Sequence, residues 1–145
     1  MNTLVNKKIV GPEAEGESRL AFLKKLQAVT NRIHSTSDID ELMLELSADV
    51  CGLFNADRLT IYAVGEDKAS IVSKVKTGLN TLKDLRLPIS EQSIAGHVAL
   101  SRSIVNIHDV YDEAELNAIS PLLRFLKEVD KRTGYRTKQM LVAPI

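Results

Sequence analysis

The hydrophobic pattern of this chain changes period once, and that change limits what it can fold into. From about Ser18 to Ile33, the residues Phe22, Leu23, Leu26, Val29 and Ile33 recur at helical spacing. Ser35, Thr36 and Ser37 break the pattern. A second helical stripe then carries Ile39, Met43, Leu46, Val50, Leu53 and Phe54, with Ser37 as its N-cap, Asp38 and Asp40 in its first turn, and Asn55 closing it. From Arg58 the period falls to two. Arg58 to Val64 predicts a strand ended by Gly65, and Ser70 to Thr77 predicts its hairpin partner, stopped by Gly78. Two helices followed by paired strands predict an α+β fold, an antiparallel sheet with helices packed on it.

The remaining residues alternate short elements. Leu85, Leu87 and Ile89 alternate with Arg86 and Pro88, which suits a short edge strand, where proline is tolerated. Ser90 or Ser93 caps a short helix from Ile94 to Leu100, and Ser103 to Ile107 reads as a strand. Residues 112–133 read as helical pieces interrupted at Ser120-Pro121, with Leu122, Phe125, Leu126 and Val129 forming the apolar side of the second piece. Met140 to Ile145 is a final strand. Residues 1–16, with Gly11, Pro12 and Gly16, read as a flexible lead-in, which sets the domain at 17–145.

Charge and cysteine content narrow the function. Nineteen basic residues balance nineteen acidic ones, so nothing in the net charge supports a nucleic-acid partner. Lys127, Lys131, Arg132, Arg136 and Lys138 alternate with Glu128 and Asp130 and read as a solvated face. Cys51 is the one cysteine, on the flank of the second helix; it reads as a packed thiol and fits a reducing cytoplasm. No apolar run reaches the length of a membrane span. Motifs of the P-loop, HExxH and GxSxG kinds are absent, and His34, His97 and His108 are widely spaced, so no enzyme chemistry is expected. His34 ends the first helix, His97 reads as a surface or core residue, and His108 beside Asp109 resembles an orienting pair or a turn.

Three segments taken together resemble the GAF family, the regulatory domain of cyclic-nucleotide phosphodiesterases, cyclases and many bacterial signalling proteins. They are Ala56 to Tyr62; Leu87-Pro-Ile with Ser93 to Ala99 and Val105 to Asp109; and Val129 to Thr137 with Leu141 to Ile145. The last looks like the phosphodiesterase-type version. The physical content agrees, because an Ile-Ala-Gly turn opening a helix lets backbone N–H groups approach a ligand. The resemblance implies a small-molecule ligand, with a cyclic nucleotide as the candidate, touching Thr60, Ile94, Ala95, Asp130, Thr133 and Thr137. Ser93 stands where the family often has glycine and His108 where it usually has proline. The resemblance also implies a linked effector domain and a homodimer through the N-terminal helices. A further strand and closing helix, which the family has, are expected beyond Ile145. Two rival readings follow: a ligand-sensing regulatory module, or a docking and dimerisation module of a larger protein. For the second, the stretch also looks like GAF domains that precede bacterial secretion or pilus-assembly ATPases.

Overall fold

The computed structural model describes residues 12–76 and 82–145, and the chain divides into two compact units, Met1–Ile61 and Tyr62–Ile145. The first unit is a helical hairpin. Helix α1 spans Pro12–Ser35 and α2 spans Ile39–Phe54. The helix thus begins six residues before the expected Ser18 and takes in Pro12 to Gly16. Proline suits the first turn because its missing N–H would have no partner there. Arg32, near the end of α1, forks to Asp49 at 2.6 Å and Glu45 at 3.4 Å, while Phe22 meets Phe54 edge-on at 6.2 Å. These contacts set the helices antiparallel. Leu46 is buried and Cys51 is half-buried with a free thiol. Asn55 ends α2 with φ 52°, the left-handed conformation that asparagine tolerates. Because α2 begins at Ile39, the cap position falls on Asp38 rather than the expected Ser37.

The second unit is α+β, as its alternating pattern predicts. Strands β1 (Ala63–Val64), β2 (Ser70–Lys76) and β3 (Leu82–Pro88) form an antiparallel sheet in that order. Its register runs from Ala63 opposite Val72 to Ser70 opposite Pro88 and Lys76 opposite Leu82. The β1–β2 turn is fixed by Asp67, whose carboxylate accepts from the Ala69 and Ser70 amides at 3.0 Å, from the Ser70 hydroxyl at 2.8 Å and from Arg86 at 3.1 Å. These donors, the Ala69 amide foremost, hold Asp67 below the usual carboxylate range. The expected first strand, Arg58 to Val64, is cut to Ala63–Val64. The expected stop at Gly78 lies outside the described residues.

Helix α3 (Ile94–Ser101) follows, then β4 (Val105–Ile107), α4 (Glu113–Ile119), α5 (Glu128–Thr133) and β5 (Met140–Val142). Strands β4 and β5 pair antiparallel, with Val105 opposite Val142. Ile94, Val98, Val105, Ile107, Val110, Leu116 and Leu123 make one buried core, with Tyr111, Phe125 and Met140 packed against it. The expected apolar side of the second helical piece is corrected here. Residues 120–127 are irregular, Leu122 and Leu126 are exposed, and Leu123 is the anchor in the core.

Candidate functional site

Ser93 is extended and its hydroxyl accepts from the Gly96 amide at 3.1 Å, so it caps α3. This local bond sets where Ile94 and Ala95 fall. Ile94 enters the core at 5% exposure and Ala95 is half-buried. Gly96 is required by packing rather than by a ligand: a Cβ there would lie 2.5 Å from the Pro88 carbonyl and 3.0 Å from that of Ser90. The Ile-Ala-Gly turn therefore brings α3 against the end of β3, and its Gly96 amide is already spent on Ser93.

Asp130 is the centre of a second arrangement. It sits on α5 at 6% exposure. A buried carboxylate is tolerable only when it is well hydrogen-bonded. Here the Thr137 hydroxyl donates to Oδ1 at 2.7 Å, the Thr137 amide to Oδ2 at 2.7 Å, and the Tyr111 hydroxyl to Oδ2 at 2.9 Å. Gly134, at φ 69°, closes α5 in the left-handed conformation and donates its amide to the Asp130 carbonyl at 2.8 Å. That reversal brings Thr137 back over the helix. Thr133 lies on the same helix, exposed, with its hydroxyl donating to the Val129 carbonyl at 2.8 Å.

Of the six expected ligand residues, the structure thus joins Asp130 and Thr137 directly and sets Thr133 beside them. Ile94 and Ala95 stand at the start of α3. Thr60 is exposed, outside any strand, and belongs to the Met1–Ile61 unit.

Tyr111 was not singled out in the sequence. Besides its bond to Asp130, its ring packs on Phe125 at 5.4 Å, with the Arg136 guanidinium 4.6 Å and the Lys127 ammonium 5.2 Å from the ring centroid. Burial and the Asp130 bond push its hydroxyl above the usual phenol range. Arg136 also pairs with Asp109 at 3.1 Å. The Tyr111 amide and then Arg136 hold Asp109 below the usual carboxylate range. Two of the expected solvated cations, Lys127 and Arg136, thus lie over an aromatic ring. His108 does not pair with Asp109. Its ring Nδ1 is 3.0 Å from Glu115, which also accepts the His108 and Asp109 amides at 2.8 and 3.1 Å.

A cleft of about 300 Å³ opens between α4 and α5, lined by Tyr111, Phe125, Arg124, Lys127 and Lys131 among others; a second, of about 370 Å³, lies between the end of β3 and Leu122. None of the six expected residues lines either. Among the described residues no group of three or more His, Cys, Asp or Glu is placed to hold a metal ion, and no helix is long and apolar enough to cross a membrane.

The fold and this network define an α+β module built round a buried, hydrogen-bonded carboxylate. Over 141 residues the chain is 30% identical to the dual 3′,5′-cyclic-AMP and -GMP phosphodiesterase 11A of Takifugu rubripes, an alignment covering 90% of this chain. The chain spans 14% of that protein's length. No family model matches the chain. The similarity supports the GAF-type relationship that the three segments suggest.

Proposed function

We propose that this chain is a ligand-sensing regulatory module of the GAF type, without catalytic activity of its own. Occupancy of a small site would shift a linked effector domain between two arrangements. A ligand does so only by binding one arrangement more tightly than the other. The observation that carries this reading is the similarity, over nine-tenths of the chain, to a segment of a dual cyclic-AMP and -GMP phosphodiesterase. The joined pair Asp130 and Thr137 supports it, because a buried carboxylate beside a hydroxyl suits a ligand bearing hydrogen-bond donors. The test is calorimetric titration of cyclic AMP, cyclic GMP and cyclic di-GMP into the folded chain and into Asp130→Asn. Saturable heat in the first and its loss in the second are expected. Equal heat in both would remove Asp130 from the site, and no heat with any of the three would overturn nucleotide sensing.

A docking and dimerisation role is the second reading. It is favoured by one observation: the Thr133 hydroxyl and the Asp130 carboxylate already have protein partners. A monomer in sedimentation that binds cyclic nucleotide would count against it. A homodimer that binds none would favour it.

A further inference from the structure

The irregular segment between α4 and α5 carries its side chains in alternation. Leu123 is fully buried and Phe125 packs against the core, while Leu122 at 55% exposure, Arg124 and Leu126 at 49% face solvent. Such alternation belongs to extended backbone. This strap is pinned by the Leu123 amide, which donates to the Ser120 carbonyl at 3.1 Å, and by the Arg124 amide, which donates to the Gln92 carbonyl at 2.8 Å. Arg124 also stands opposite Ser93 in a parallel bridge. The outward face is therefore a fixed row of leucine, arginine and leucine. Arg124 and Leu126 line both clefts described above. In the cleft of about 370 Å³, Leu87, Pro88, Leu122 and Leu126 form the apolar wall, and Arg124 is the one charged residue. In the other, Arg124, Lys127 and Lys131 stand against Glu113 and Glu128, so cations are in excess. Arg124 Nη1 donates to the Asn117 side chain at 3.2 Å and to the Pro121 and Leu123 carbonyls at 3.1 and 2.7 Å. These oxygens are neutral, and among the described residues Arg124 has no carboxylate partner.

We propose that this strap is a docking surface for an extended, acidic segment of a partner protein. The segment carries an aspartate or glutamate with a large apolar residue two positions to either side. Its carboxylate pairs with the Arg124 guanidinium, and its apolar residues lie on Leu122 and Leu126, one of them in the 370 Å³ cleft. The spacing follows from the strap, because Leu122, Arg124 and Leu126 are two residues apart and an extended partner repeats at the same period. The sign follows from the charge of both clefts, which is cationic. An arginine held in place between leucines that exclude water pairs with a carboxylate more strongly than an arginine free in solvent. The strap is already ordered by its own hydrogen bonds, so docking costs little on this side. Asp130 and Thr137 line neither cleft, so the surface is separate from their network. The proposal goes beyond ligand sensing and does not require it.

The test is selection of displayed random short peptides on the folded chain. Enriched peptides are expected to share an aspartate or glutamate flanked, two positions away on each side, by leucine, isoleucine or phenylalanine. The most enriched peptide is then synthesised and titrated into the wild-type chain, Arg124→Gln and Leu122→Ser. Arg124→Gln removes the charge and keeps an N–H donor for the neighbouring carbonyls. Leu122→Ser changes a side chain already half in water, and serves should Arg124→Gln not fold. Binding about tenfold weaker is expected in Arg124→Gln, the worth of one charge-assisted bond. Leu122→Ser is expected to weaken it about fivefold, for half of a leucine side chain buried on docking. No enriched peptide, enriched peptides without a carboxylate, acidic peptides without apolar neighbours, or wild-type affinity in either folded variant overturns the proposal and leaves ligand sensing intact. A homodimer in sedimentation that Leu122→Ser disperses would give the strap to a second copy of the chain and overturn it as well.

Discussion

Glu115 gathers two backbone amides and the His108 ring at the exit of β4, and those bonds favour its ionised form. The His108 amide, then the Asp109 amide, then the His108 ring hold its carboxyl below the usual range. A group whose pKa is lower folded than unfolded stabilises the fold above its unfolded value, and that contribution is lost as pH falls through the folded value. Stability is therefore expected to fall on the acid side, from about pH 5 downward. Asp67 and Asp109 shift in the same direction, so Glu115→Gln should flatten the acid limb only in part. Thermal midpoints of both proteins across that window check it; parallel curves would count against the clamp. Asp130 and Thr137 were named from the family resemblance, and only Gly134, which reverses the chain between them, could be read from the local sequence as a turn. Tyr111 was not named, since nothing local links it to a carboxylate nineteen residues away.

Helix α3 shows how one short element can be fixed from both ends. Ser93 caps its start, and Arg102, at φ 55°, closes its end with an amide bond to the Val98 carbonyl. Between them Gly96 lies against backbone carbonyls with no room for a methyl group. In an ordinary helix, glycine to alanine gains about 1 kcal/mol. Here Gly96→Ala forces backbone to move, at about 1–3 kcal/mol as in overpacked cores, so a net loss of stability is expected. Ser93→Ala removes the cap and should cost about 1 kcal/mol. Chemical denaturation measures both, and a stabilised Gly96→Ala would contradict the close approach. The cap and span of α3 were readable because they depend on neighbouring residues. The first strand was over-read: Leu59 to Tyr62 has the composition of a strand, but among the described residues the strand is confined to Ala63 and Val64. Strand formation needs a ladder, which composition cannot supply. Leu123 was missed for a related reason, since in an irregular segment no period marks which leucine turns inward.

At the scale of the molecule, the α+β order was visible because helical and alternating periods are local signals. The division at Ile61 was not visible, because no glycine, proline or charge run marks it. The resemblance groups Thr60 with residues of the second unit, whereas Asp130, Thr137 and Tyr111 meet within Tyr62–Ile145. On the proposed reading the Asp130 network is the centre of ligand response. The most direct measurement is an amide NMR titration of the folded chain with cyclic GMP and cyclic AMP. Saturable shifts concentrated at Tyr111, Lys127, Asp130 and Thr137 are predicted for at least one of them. Shifts that avoid these residues, or none at concentrations well above the millimolar range, would contradict it.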